Sequence, residues 1–167
     1  MTSGQRLRLR VVAVAAMACS CGSNSGVAVT GALVEIGDWG VDTTFSGIME
    51  FASGAIANVT GSMEQPFRCQ ISIDGRKGRI EIPSMFEDSG PIIIKSVDGQ
   101  KEQTITTPAP NRFTVQFNEF SECVLTGKAP DFPAEDGLRN TAVIEALYES
   151  AYSGQAVEMT PETKGKP

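Results

Sequence analysis

Thr44-Phe45-Ser46-Gly47-Ile48-Met49-Glu50-Phe51, then Ala52-Ser53-Gly54, then Ala55-Ile56-Ala57-Asn58-Val59-Thr60-Gly61-Ser62-Met63: the fold turns on the period of this passage. Phe45, Gly47, Met49 and Phe51 share one parity, and Thr44, Ser46, Ile48 and Glu50 share the other. A period of two puts alternate side chains on opposite faces of a strand, so this is a strand with one apolar and one mixed face. Ala52-Ser53-Gly54 reads as a tight turn, with Gly54 free to take the positive φ a short hairpin requires. The returning strand repeats the pattern, with Ala55, Ala57, Val59, Gly61 and Met63 against Asn58, Thr60 and Ser62.

Working outward, Val27 to Glu35 is rich in β-branched residues and reads as a preceding strand. Phe67 to Asp74 gives a further strand, with Phe67, Cys69, Ile71 and Ile73 on one side. The glycine-bounded turn Asp74-Gly75-Arg76-Lys77-Gly78 leads to a short strand from Arg79 to Ile82. Pro91 to Val97 and Glu102 to Thr106 form another hairpin around Asp98-Gly99, and Pro108-Ala109-Pro110 ends the β region. The whole is a largely antiparallel meander of about six or seven strands.

The period then changes. Phe113, Phe117, Phe120 and Val124 recur at helical spacing, with Asn111 as N-cap and Gly127 as stop. This stripe is expected to be covered by the sheet, the alternative being an exposed groove for a partner. Asp136 to Tyr152 reads as a second helix ending at Gly154, and Ala156 to Met159 as a final strand. The predicted fold is therefore α+β: an open, predominantly antiparallel β-sheet with two helices packed on one face.

Residues 1–26 differ in character from the rest of the chain. Arg6, Arg8 and Arg10 precede the apolar run Val11 to Ala18, which ends at Cys19, the outline of a secretory signal. Eight apolar residues do not cross roughly 30 Å of hydrocarbon as a helix, so no stable transmembrane span is expected. We read 1–26 as an irregular or signal-like leader, 27–159 as the domain and 160–167 as a flexible tail. The expected location is cytoplasmic. The alternative is export through the leader, with Cys19 as a lipid-attachment residue.

The chain has 167 residues, with 14 basic and 20 acidic side chains, a formal net charge of -6 and no histidine. One domain with a genuine core fits this length. The absence of histidine excludes protein-based Ser-His-Asp and Cys-His catalysis and histidine metal ligation. The acidic balance, with no basic patch, argues against nucleic acid as a partner. Cys19 and Cys21 lack the further ligands of a zinc site, while Cys69 and Cys123 read as small buried hydrophobes.

No reaction emerges from the remaining candidates. Gly75 to Gly78 joins two strands, whereas a dinucleotide fingerprint joins a strand to a helix. Asp131, Glu135 and Asp136 cluster at a helix entrance, where negative charge favours exposed backbone donors. Ser46, Ser62 and Ser150 have no histidine partner, and Lys77, Lys95, Lys101 and Lys128 read as solvent-facing. Asn58-Val59-Thr60 matches a glycosylation pattern inside a strand and is assigned no role. Accordingly no catalytic, cofactor-binding or metal-binding residue is assigned.

Several passages, in shared order, resemble one family. Val41 to Phe51 with Gly54 is similar to the early part of the substrate-side domain of the glucose–fructose oxidoreductase / inositol dehydrogenase family. Ile73 to Ile80 looks like its strand–glycine-turn–strand segment. Phe113, Phe117 to Phe120, and Asn140 to Ala151 resemble its late helical signatures, and Gly154 and Val157 continue the usual ending. The resemblance covers roughly residues 27–159.

It implies an open antiparallel sheet with helices on one face, in proteins whose other half is a Rossmann domain binding NAD or NADP. For intact members it implies oxidoreduction of sugars, polyols or diols, with the sheet often joining subunits. The family's Glu-Lys-Pro motif and Asp…His pair have no counterpart here. The expected role is thus a substrate-side and oligomerisation domain, inactive alone, with no cofactor of its own and homodimeric through the open sheet face. The alternatives are the substrate-binding subunit of a split dehydrogenase with a separate Rossmann subunit, and an exported binding module.

Overall fold

The computed structural model describes residues 27–85, 90–106 and 111–159. The expectations for the leader, the tail and Pro108 to Pro110 fall outside these residues. In chain order the elements are β1 (Val27–Ile36), β2 (Asp42–Phe51), β3 (Ile56–Ser62), β4 (Ile71–Gly75), β5 (Gly78–Ile82), β6 (Ile92–Ser96), β7 (Glu102–Ile105), α1 (Arg112–Thr126), α2 (Ala134–Ser153) and β8 (Val157–Met159). The class is α+β with open antiparallel sheets, as expected. The strands form two four-stranded sheets instead of one meander, β3-β2-β1-β8 and β4-β5-β6-β7, and the chain divides into two compact units.

The first unit comprises the described residues up to Gln65 and those from Phe132 onward. The β2–β3 hairpin pairs as its alternation demands, Phe45 opposite Gly61, Gly47 opposite Val59 and Met49 opposite Ala57, with Gly54 at φ 79° in the turn. Between β1 and β2 the register slips by one residue after Val29, so Thr30 is extra. Such a bulge re-aims the strand beyond it. Without it Ala32 and Val34 would turn away from the core; with it they stand beside Gly47 and Phe45. The last strand, β8, pairs with the first, Val27 opposite Met159.

One face of this sheet is closed by α2. Val29, Phe45, Met49 and Val59 from the strands and Val143 and Leu147 from the helix are each at most 2% exposed. Gly47 permits the close approach, since a Cβ there would lie 2.6 Å from Leu147 Cδ2. Glu135 and Asp136 occupy the first turn of α2, where they oppose the helix dipole, and Gly154 ends it at φ 66°.

The second unit spans Pro66–Asp131. Its sheet is a single layer of hairpins, with Ile73 opposite Ile80 and Ile80 opposite Ile94. Asn111 caps α1 as expected, its Oδ1 accepting from the Phe113 and Thr114 amides at 3.0 and 3.3 Å. Gly127 closes the helix at φ 71°. The expected covering of the phenylalanine stripe is not met: no residue of α1 is buried, and Phe117 and Phe120 are 69% and 65% exposed. Helical period identifies an apolar face, but what covers that face is a tertiary fact. Phe67 likewise lies outside β4 and is 87% exposed.

Candidate functional site

Alternation leaves each sheet with a face that no described element of its own unit covers. On the first sheet the face away from α2 carries Thr44, Ser46, Ile48 and Glu50 of β2 beside Leu33 and Glu35 of β1 and Asn58, Thr60 and Ser62 of β3. Glu158 of β8 joins it opposite Ala28. Hydroxyls pair across the strands, Thr44 Oγ1 with Ser62 Oγ at 2.9 Å and Ser46 Oγ with Thr60 Oγ1 at 3.1 Å. The two serines weighed as nucleophiles on this face are thus linked to threonines. Leu33 and Ile56 are 77% and 73% exposed. The charges of this face are all negative, from Glu35, Glu50 and Glu158. More widely, Arg139 is the sole basic residue of the unit's described part, against ten acidic ones.

Beneath the covered face lies the buried polar contact of that unit. Tyr148 on α2 donates to Asp42 Oδ2 at 2.6 Å, and its ring packs on Phe45 with centroids 5.4 Å apart. A hydrogen bond to a buried carboxylate is worth about 1.5–3 kcal/mol. It fixes the start of β2 against the middle of the helix. Replacing Tyr148 with Phe is expected to lower unfolding stability by about 1–3 kcal/mol with an unchanged denaturant slope. A urea midpoint equal to that of the parent would show that the contact holds nothing. Ser150, third of the serines considered, is 1% exposed, and its hydroxyl has no hydrogen-bond partner among the described residues.

The second sheet separates its residues more sharply. One face bears Asp74, Arg79, Glu81, Lys95 and Glu102. Arg79 donates to both oxygens of Asp74, at 2.6 and 3.0 Å, and Lys95 to Glu81 at 2.8 Å. The hydrogen bonds from Arg79 and Lys95 hold the Asp74 and Glu81 carboxyls below their ordinary values. The same contacts, with Asp74 and Glu81 respectively, raise Arg79 and Lys95. Lys95 is thus a rung in a ladder of ion pairs, 2.8 Å from Glu81 and 4.0 Å from Glu102. Lys128 is similarly raised, chiefly by its hydrogen bond to Asp131.

The opposite face is aliphatic. Three rows cross it: Ile71, Ile82, Ile92 and Ile105; then Ile73, Ile80, Ile94 and Gln103; then Gly75, Gly78, Ser96 and Lys101. None of its isoleucines is buried. At the glycine end lies an open concavity of about 530 Å³, its lining including Arg76, Lys77, Lys101, Ile80 and Ile94. The side chains of Arg76, Lys77 and Lys101 have no carboxylate partner among the described residues.

These surfaces are broad and open. No group of three or more candidate metal ligands occurs among the described residues. No helix among them is long and apolar enough to cross a membrane. Cys69 and Cys123 are free thiols and only half-buried, less enclosed than expected. Trp39, 92% exposed at the β1–β2 turn, escapes a reading by periodicity, because a lone aromatic between glycines belongs to no repeat.

Comparison with known proteins agrees with this architecture. Residues 14–159 match the oxidoreductase family C-terminal alpha/beta domain. The chain is 31% identical over 125 residues to D-xylose 1-dehydrogenase (NADP(+)) 2 of Haloferax volcanii, covering 73% of this chain and 38% of that protein. Among solved structures, aldose-aldose oxidoreductase from Caulobacter crescentus, complexed with glycerol, superposes with a TM-score of 0.76 at 27% identity. That match covers 89% of this chain and 45% of the other. A 3-ketoreductase from Actinomadura kijaniata, in complex with TDP-benzene and NADP, gives 0.73 at 20% identity over 84% of this chain and 44% of the other, a likeness of fold. The chain thus spans less than half the length of each of these proteins. It belongs to the glucose–fructose oxidoreductase / inositol dehydrogenase (Gfo/Idh/MocA) family of oxidoreductases, and corresponds to their C-terminal α/β domain.

Proposed function

We propose that these residues form the substrate-side and assembly domain of an NAD(P)-dependent oxidoreductase acting on sugars or polyols. The supporting observation is the match itself, which spans 146 of the 167 residues but corresponds to a minor part of each relative. The relatives' names, a xylose dehydrogenase using NADP(+) and an aldose-aldose oxidoreductase, favour an aldose as substrate. Hydride transfer needs the nicotinamide placed against the substrate carbon and a proton acceptor beside it. In this reading a Rossmann domain outside these 167 residues supplies the cofactor and the proton-transfer groups, and this domain supplies one wall of the site. The working location is the cytoplasm, and the working assembly is a homodimer formed through the open sheet face.

The test uses the 167-residue chain. Calorimetric titration with NADP and NAD is expected to give no saturable binding, and xylose, glucose and glycerol to give no absorbance change from cofactor reduction. Tight binding together with steady reduction would overturn the division of labour.

A further inference from the structure

We propose that Trp39 is a stacking platform for a neutral sugar, with the carboxylates of Asp38 and Glu35 receiving the sugar's hydroxyls. This rests on the sugar-oxidoreductase reading above and gives named side chains of this chain a part in holding the substrate.

The first argument is the mounting of the ring. Tryptophan is a large apolar side chain and is highly buried on average. Trp39 is the sole tryptophan of the 167 residues, and it stands 92% exposed at the tip of the β1–β2 connection. The backbone beneath it is fixed. The Gly40 amide donates to the Gly37 carbonyl at 2.9 Å, closing a four-residue turn, and the Gly37 amide donates to the Val41 carbonyl at 2.9 Å. Gly40 takes the positive φ, 72°, that lets the chain re-enter β2. Gly37 lies so close to β2 that a Cβ there would stand 2.5 Å from Thr43 Cγ2, whereas a Cβ at Gly40 would meet nothing within 4 Å. The turn is thus seated against the strand at Gly37 and open at Gly40, next to Trp39. A rigid ring on a fixed mount has little conformational freedom to lose on binding.

The second argument is the chemistry around the ring, which selects the ligand. A sugar ring presents C–H bonds on its faces, and their partial positive charge complements the electron-rich face of an indole. Its hydroxyls stand round the edge as donors. Asp38 and Glu35 are exposed carboxylates in or beside the turn, and an ionised carboxylate only accepts, through two oxygens. Residues 27–65 contain no lysine or arginine. A phosphate or carboxylate ligand would therefore meet like charge here, while a neutral sugar meets acceptors. A protein partner fits less well. Anchoring tryptophans at protein interfaces sit among contacts that exclude water, whereas the residues flanking Trp39 are Asp38 and Gly40.

Fluorescence of the full chain reads this site directly, because one tryptophan gives the whole indole signal. Titration with xylose or glucose is expected to shift the emission saturably, with a dissociation constant of about 1–10 mM, the scale of one stacking contact and a few exposed hydrogen bonds. Phosphorylated glucose, repelled by the carboxylates, and sorbitol, which has no ring face, are each expected to bind about fivefold more weakly. Saturation-transfer NMR with glucose extends the test to variants whose folding is checked by circular dichroism. Trp39→Ala is expected to lose about tenfold in affinity and Asp38→Asn about threefold, with Trp39→Phe between the alanine variant and the parent. No emission change with either aldose overturns the platform, while the assignment to a substrate-side domain is tested separately by the cofactor titration. An undiminished transfer signal in Trp39→Ala puts sugar binding elsewhere in the chain and also overturns it. A blue shift that follows protein concentration and not sugar makes Trp39 an anchor between protein molecules, and overturns it too.

Discussion

Truncating Phe45 to alanine is expected to lower the stability of the first unit by about 3–5 kcal/mol, the usual range for a buried phenylalanine. Its ring is 1% exposed and sits on β2 opposite Val34 and Gly61, against the ring of Tyr148 on α2. The change removes the aromatic contact and leaves a cavity between sheet and helix. Gly47 on the same face provides nothing to fill it, since it has no side chain. A loss of this size is a large share of the 5–15 kcal/mol typical of a domain. Urea unfolding followed by far-ultraviolet circular dichroism measures it. Phe45→Leu, which keeps most of the apolar volume, is expected to lose markedly less. A shift below about 1 kcal/mol for the alanine variant would mean that α2 is not held by this layer. The functional consequence would be direct, because the same helix layer decides which face of the sheet remains open.

How much of this was legible in the sequence differs between the two units. The β2–β3 hairpin, the capping of α1 by Asn111 and the stops at Gly127 and Gly154 were readable because each rests on local chemistry: alternation, an Asn side chain reaching two amides, and glycine at positive φ. The bulge at Thr30 was not, because it adds one residue to a strand whose pattern was already mixed. Nor was the division into two sheets. Strand strings look alike whether neighbours pair in one sheet or two, and the pairing of β8 with β1 joins residues more than 120 positions apart. The phenylalanine stripe shows the same limit from the other side, with a correct helix and an uncovered face. The candidate surfaces were only half legible. Arg76, Lys77 and Lys101 are remote from Glu35, Glu50 and Glu158 in sequence, and only the register shows which aliphatic residues accompany each set.

Gly78→Ala is expected to be the most damaging single methyl in the second unit. Gly78 opens β5 at φ 156°, opposite both Gly75 and Ser96. A Cβ there would lie far inside van der Waals distance of the Lys95 carbonyl oxygen and 3.4 Å from Ser96 Cα. Both are backbone atoms of β6, so no side-chain rotation relieves the clash. The strand itself must move. Backbone strain at such a φ costs of order 1–3 kcal/mol before the displacement is counted. Moving β6 also shifts Lys95 from Glu81 and misaligns the Ile80–Ile94 row. Gly99→Ala is the control: Gly99 also has positive φ, 69°, but nothing lies within 4 Å of its Cβ position. Hydrogen exchange should then rise in Gly78–Ile82 and Ile92–Ser96 much more for Gly78→Ala than for Gly99→Ala. Equal, small effects would show that β6 accommodates a side chain at that point.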